Sequence, residues 1–202
     1  MEDVAVDQQR IGHARPGEAH VVAFAVLGEA ARIVAEIDAR LFGLHGSDGG
    51  SKLPREGDAM PKVSLPMLSG QGKLHLPYGS SPKLRGTVVS FFASWCGPCR
   101  TEMPMVVATS KAYLHGAKGD VRFVGIDGLD QPSKAKAFLD QVGWSYPVGA
   151  DTSFAVTTGT FGFQGLPETV VVDARGVITY VKTGELTKPE LTKALDALPS
   201  AS

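Results

Sequence analysis

Val88-Val89-Ser90-Phe91-Phe92 runs almost directly into Trp95-Cys96-Gly97-Pro98-Cys99, so a largely apolar strand candidate delivers the chain's only two cysteines to a point where a helix can begin. A strand that ends where a helix starts places the first sulfur among unpaired backbone N–H groups at the positive end of the macrodipole. That setting favours a thiolate over a thiol whose ordinary pKa is about 8.5. Cys96 is therefore expected to be an exposed, readily ionised sulfur. Cys99 falls one helical turn on, at i+3, where it can close a disulfide with Cys96 at little backbone cost and reopen it by exchange. Pro98 suits the first helical turn, where a missing N–H costs little, and Gly97 leaves space beside the sulfur.

Outward from this stretch the chain alternates strand and helix. Strand patterns end at Phe92 and cover Val121 to Ile126 and Pro147 to Ala150; helical patterns cover Pro98 to Leu114 and Ser133 to Val142, with a short helix over Thr152 to Thr158. Glu168 to Val172 and Val177 to Lys182 read as strands joined by Ala174-Arg175-Gly176, short enough for an antiparallel hairpin. Lys188 to Leu198 closes the chain as a helix. Lys62 to Leu68 and Lys73 to Leu76 form a hairpin pattern ahead of the main sheet. These elements predict an α/β domain over 61–199, a mixed central sheet with helices on both faces burying its strands.

The preceding residues read differently. Residues 1–20 are polar and unpatterned and read as a flexible arm. Over 21–44 the residues Leu27, Ala30, Val34, Ile37, Leu41 and Leu44 recur at helical spacing opposite Glu29, Arg32, Glu36 and Arg40, which predicts an additional N-terminal amphipathic helix. That helix packs its stripe on the domain, or serves as a homodimer contact or a membrane-surface helix. Residues 45–60, rich in glycine and charge, read as a linker.

The totals exclude several classes. A net charge of −1 over 202 residues gives no reason to expect a nucleic-acid partner. Two cysteines are too few for a structural disulfide framework and supply only half of a zinc site, and His13, His20, His45, His75 and His115 are scattered without ligand spacing. No metal or cofactor is implied. The longest apolar run, Val21 to Leu27, is far short of the roughly 20 residues of a membrane span. Arg10, His13 and Arg15 precede it in the manner of an export signal, but Glu2, Asp3, Asp7 and Glu18 outnumber these basic residues, which argues against one.

Trp95-Cys96-Gly97-Pro98-Cys99 after a hydrophobic strand, with Pro104 in the following helix, resembles the active site of the thioredoxin superfamily. Together with the early hairpin, Glu102 three residues after Cys99, and Gly165-Leu166-Pro167-Glu168-Thr169, it is most similar to the TlpA/ResA-like branch of thiol:disulfide oxidoreductases. The resemblance implies a thioredoxin-like fold. It implies an attacking Cys96, a resolving Cys99, and a cis Leu166–Pro167 bond facing the cysteines, with the Leu166 main chain open to an extended substrate segment. Trp95 becomes a flat apolar surface beside Cys96, and Trp95, Gly97, Pro98, Leu166 and Pro167 line the substrate site. Plain thioredoxins carry a buried Asp six residues before the first cysteine, where this chain has Ser90; the resemblance makes Glu102 the proton acceptor instead, although a glutamate in a first helical turn is also what the macrodipole selects.

The expected function is reduction of protein disulfides through a reversible Cys96/Cys99 disulfide, with an upstream thiol electron donor and protein substrates as partners. The resemblance places it outside the cytoplasm, in the cell envelope or periplasm; a cytoplasmic site is the alternative. Two other activities compete. A copper or other soft-metal chaperone would use both thiolates with a third soft ligand such as Met103 or Met105. A thiol peroxidase wants a lone peroxidatic cysteine after Thr-x-x, where this chain has Ala93 and a partner sulfur at Cys99. Sizing the chain with and without residues 1–57 tests the dimer reading: a dimer lost on truncation supports it, and an unchanged monomer removes it.

Overall fold

The computed structural model describes residues 53–78, 81–115 and 120–201. The arm over 1–20, the helix expected over 21–44 and the first part of the linker lie outside the described residues. In chain order the elements are β1 (Val63–Pro66), β2 (Lys73–Leu76), β3 (Leu84–Phe92), α1 (Gly97–Tyr113), β4 (Asp120–Gly128) and α2 (Pro132–Val142). These are followed by β5 (Val148–Asp151), a π-helical turn (Ala155–Thr160), β6 (Glu168–Asp173), β7 (Ile178–Thr183) and α3 (Lys188–Asp196). The turn replaces the short helix read over Thr152 to Thr158.

The five-stranded sheet has the order β5-β4-β3-β6-β7, with β3 parallel to β4 and antiparallel to β6. Every residue of β3 is buried, and its second half, Val88 to Phe92, is apolar at every position but Ser90 rather than alternating. On one face Val88, Phe92, Phe123 and Val171 pack against Met103, Val106, Phe138 and Leu191 of the helices. On the other, Val89, Phe91, Val124 and Val170 lie under Val63, Leu65, Leu74 and Leu76 of the hairpin and under Phe161 and Phe163.

The α-helices do not divide between the two faces as expected: all three contribute to the same side of the core. The crossovers β3-α1-β4 and β4-α2-β5 step across the sheet in the same direction, and connections of one hand taken in one direction place their helices on one face. The β1–β2 hairpin covers the opposite face. It joins the edge strand β5 through a Met67–Gly149 bridge and the Leu68 N–H, which donates to the Val148 carbonyl at 2.8 Å.

Residues 57–60, which sequence composition assigns to the linker, are tied to the sheet. The Gly57 and Met60 N–H groups donate to the Ile178 and Gly176 carbonyls at 2.8 Å each, and Met60 is buried. A run rich in glycine and charge hides this pairing because its hydrogen bonds involve only the backbone.

Local signals end the helices where expected. Gly143, at φ 71°, closes α2 in the left-handed region. Thr187 and Glu190 form a reciprocal capping box at the start of α3. The other end of α3 depends on a distant residue: buried Arg85 of β3 donates to the carbonyls of Leu195, Leu198 and Pro199 at 2.6–3.2 Å. A guanidinium at a helix C-terminus satisfies orphan carbonyls and complements the negative end of the macrodipole. Arg85→Met should lower stability by about 3 kcal/mol, the cost of leaving buried acceptors unpaired; urea unfolding of the oxidised protein measures it.

Candidate active site

Cys96 is the N-cap of α1, in extended conformation at φ −80° and ψ 110°, and its Sγ accepts from the Cys99 N–H at 3.2 Å. The chain turns there because β3 ends at Phe92 and Pro98 can enter only a first helical turn. The two sulfurs form a disulfide, with Cα atoms 5.3 Å apart. The helix continues through Pro104 to Tyr113.

The expected exposure of Cys96 is not what the oxidised site shows. Cys96 is 5% exposed and Cys99 fully buried. Closing the disulfide turns the Cys96 sulfur towards its partner, so the surface around it is made by other groups. Trp95, 58% exposed, is the largest of them, and its indole Nε1 donates to the Leu129 carbonyl at 3.0 Å. Gly97 and Pro98 are exposed, and a Cβ at Gly97 would meet nothing within 4 Å, so the approach beside the sulfurs is open there.

Phe91 pairs with Glu168 across β3 and β6, which sets Leu166 and Pro167 beside the segment that leaves β3 for Cys96. The Leu166–Pro167 peptide is cis. The Pro167 carbonyl accepts from the Gly184 N–H at 3.0 Å, whereas neither the N–H nor the carbonyl of half-buried Leu166 has a partner among the described residues. A depression of about 300 Å³, lined in part by Leu53, Gln164, Leu166 and Thr183, opens beside this loop. The fold thus gathers Trp95, Cys96, Gly97, Pro98, Cys99, Leu166 and Pro167 at one end of the sheet.

Glu102 is buried one turn after Cys99, but its Oε2 accepts from the Leu186 N–H at 2.5 Å and bonds neither sulfur. Burial raises its pKa to about 7, against the lowering effect of that N–H and with further raising by Glu185. Glu168, which sequence reading quotes only as part of a motif, is as deeply buried. Its Oε2 has no hydrogen-bond partner among the described residues, and burial lifts its pKa to about 7, with Thr183 lowering it and Glu102 raising it. The signal that could have found it is a single carboxylate opening the otherwise apolar run through Val172. Behind the site Ser90 and Thr169 face each other across β3 and β6, both buried with unpartnered hydroxyls, where plain thioredoxins carry a buried acid.

The two methionines named as a third soft ligand follow the cysteines on α1. Met103 packs in the core and the Met105 sulfur accepts from the Thr109 hydroxyl at 3.6 Å. Among the described residues no group of three His, Cys, Asp or Glu side chains is placed to hold a metal ion.

The profile of the Redoxin family matches residues 55–198, and the chain belongs to that family. It is 34% identical over 146 residues to the thiol:disulfide interchange protein HelX of Rhodobacter capsulatus, an alignment covering 70% of this chain and 76% of HelX. The thioredoxin-like protein YneN of Bacillus subtilis is 31% identical over 143 residues, covering 70% of this chain and 79% of YneN. The crystal structure of a thioredoxin-family thiol:disulfide interchange protein from Chlorobium tepidum TLS superimposes with a TM-score of 0.57 at 27% identity, covering 73% of this chain and 99% of that one. The fold is thioredoxin-like, of the TlpA/ResA-like branch, and the protein is a thiol:disulfide oxidoreductase whose substrates are protein thiols or disulfides.

The buried carboxyls Glu102, Asp127 and Glu168, each raised to about 7, make stability depend on pH in a defined sense. The unfolded chain releases these protons near pH 4 while the folded protein keeps them, so the stabilising contribution is complete below about pH 4 and is lost as pH rises through about 7. The urea midpoint of the oxidised protein should fall from pH 5 to pH 8, and Glu102→Gln should flatten part of that fall. A midpoint that rises over this interval would exclude the raised values.

Proposed function

We propose that the protein reduces disulfides in protein substrates, with Cys96 as nucleophile and Cys99 as resolving thiol. The observation that carries this reading is the sulfur pair at the start of α1, with the main chain of Leu166, unpartnered among the described residues, at the same end of the sheet. In the reduced protein the Cys96 thiolate attacks one sulfur of a substrate disulfide. A Cys96–substrate bond forms, the substrate S–S bond breaks, and the departing sulfur leaves as a thiolate that takes a proton from solvent. Cys99 then attacks the Cys96 sulfur of the mixed disulfide, releasing the second substrate thiol and closing Cys96–Cys99. Two electrons have passed to the substrate, and an upstream dithiol donor restores the starting state.

Each flanking residue has a role in this sequence. Trp95 offers an apolar plane beside the sulfur, with Gly97 and Pro98 leaving the approach clear. The Leu166 N–H and carbonyl pair with an extended substrate segment, and Pro167 seats that segment against the cysteines. Glu102 takes up or holds the proton that Cys99 gives away, and its charge in turn helps keep Glu168 neutral. The TlpA/ResA-like resemblance supports work in the cell envelope and a thiol donor in that compartment.

Two measurements test the assignment. Cys99→Ala should accumulate a Cys96–substrate mixed disulfide that Cys96→Ala cannot form; equal trapping by both variants would remove the assigned order of attack. The potential of the Cys96/Cys99 couple should lie below about −200 mV, on the reducing side of the range, whereas a value near about −120 mV would make the protein an oxidant.

A further inference from the structure

Two acidic residues outside the proposed mechanism meet beneath the active-site loop. Asp127, the last residue but one of β4, lies opposite Phe92 of β3 and is only 3% exposed. One of its oxygens, Oδ1, is buried without a partner among the described residues, and the side chain lies close enough to Asp130, in the loop leading to α2, to feel its charge. Asp130 is well supplied with donors. Its Oδ2 accepts from the Ser94 N–H at 2.5 Å, and its Oδ1 accepts from the Ser94 hydroxyl at 2.9 Å and the Gln131 N–H at 2.8 Å.

The same two segments are joined a second time. The Leu129 carbonyl accepts the Trp95 indole, and Leu129, at φ 51°, sits in the left-handed region that a leucine adopts only when its surroundings impose it. The short connection 128–131 is thus bound to Ser94 and Trp95, the two residues that lead into Cys96. Two neighbouring carboxyls at this depth repel unless one of them holds a proton. Three donors are aimed at Asp130, whereas Asp127 is buried with Oδ1 unpartnered among the described residues, so Asp127 is the one that keeps it.

We propose that Asp127 is a positioning residue for the exchange site: as a neutral acid it donates to Asp130, and this carboxyl–carboxylate pair fixes the connection that holds Ser94 and Trp95 against Cys96. The proposal rests on Cys96 being the exchange sulfur only in what the positioning is for; the pair itself is tested with the sulfurs locked. Ionisation of Asp127 sets two negative charges against each other and loosens the connection. Burial and the Asp130 charge raise the Asp127 pKa to about 7, so the loosening falls near neutrality.

Asp130 is the charged group acting on Asp127. Opposite Asp127 β3 presents Phe92 and β5 presents Ala150, and Arg100 of α1 is directed to the Ser94 carbonyl and Gln141. Lys134 and Lys136 of α2 are exposed, and the disulfide sulfurs do not titrate.

The test follows tryptophan emission of the oxidised protein against pH. A transition centred near pH 7 is expected in the wild type, absent from Asp127→Asn, which keeps a donor but cannot ionise, absent from Trp95→Phe, and retained in Glu102→Gln. A wild type without the transition, or an Asp127→Asn protein that keeps it, overturns the proposal and leaves the exchange chemistry of Cys96 untouched. Alkylation of reduced Cys96 at pH 6 gives a second readout. Asp127→Asn should match the wild type while Asp127→Ala changes the rate by about tenfold, the size of one charge-assisted hydrogen bond. Identical rates in all three proteins would also overturn it; should the alanine variant not fold, the asparagine titration decides alone.

Discussion

A sulfur placed at the N-cap of a helix depends on the strand before it being immovable. β3 is buried along its whole length, paired on both edges and covered on both faces. Nothing in the strand can slide without exposing one hydrophobic layer or the other, since a shift of one residue exchanges the two faces. Cys96 inherits that rigidity, and the Cys99 N–H aimed at its sulfur is the local form of the field that a helix N-terminus provides. Trp95, Leu166 and the buried acids matter chemically because they are arranged around a point that β3 holds still.

The end of the sheet at which β3 stops is also where the buried carboxyls collect. Register puts Asp127 opposite Phe92 and Glu168 opposite Phe91, and Glu102 enters from the first turns of α1. Each acid loses hydration and gains too little favourable interaction to offset that loss, so its charged form is disfavoured. Ser90 and Thr169, side by side on the helix-packed face, leave polar but neutral atoms where the buried acid of plain thioredoxins would lie. In the mechanism proposed above, proton uptake lies beside β3 rather than in its middle, apart from the acids proposed to hold the loop.

Much of this was legible along the chain. The strand–CxxC–helix order, the β6–β7 hairpin through Gly176 and the early β1–β2 hairpin all follow from signals within a few residues, and their boundaries match closely. The one-sided placement of the helices did not, because the side of a crossover is set by the order in which strands pair. The pinning of residues 57–60 was hidden for a similar reason: backbone bonds to Gly176 and Ile178 leave no trace in composition.

The candidate site divides in the same way. By itself the sequence determined the chemistry: two sulfurs three apart at a helix start, a proline loop ahead of a later strand, and an acid one turn beyond the second cysteine. Those are short-range relations, carried by helical spacing and by the requirements of caps and turns. Only the tertiary structure decided that Cys96 is nearly enclosed when oxidised, that Glu102 spends its carboxylate on Leu186, and that Glu168 and Asp127 are acids without solvent. Burial and electrostatic field are summed over neighbours brought from tens of residues away, and no window along the chain contains that sum.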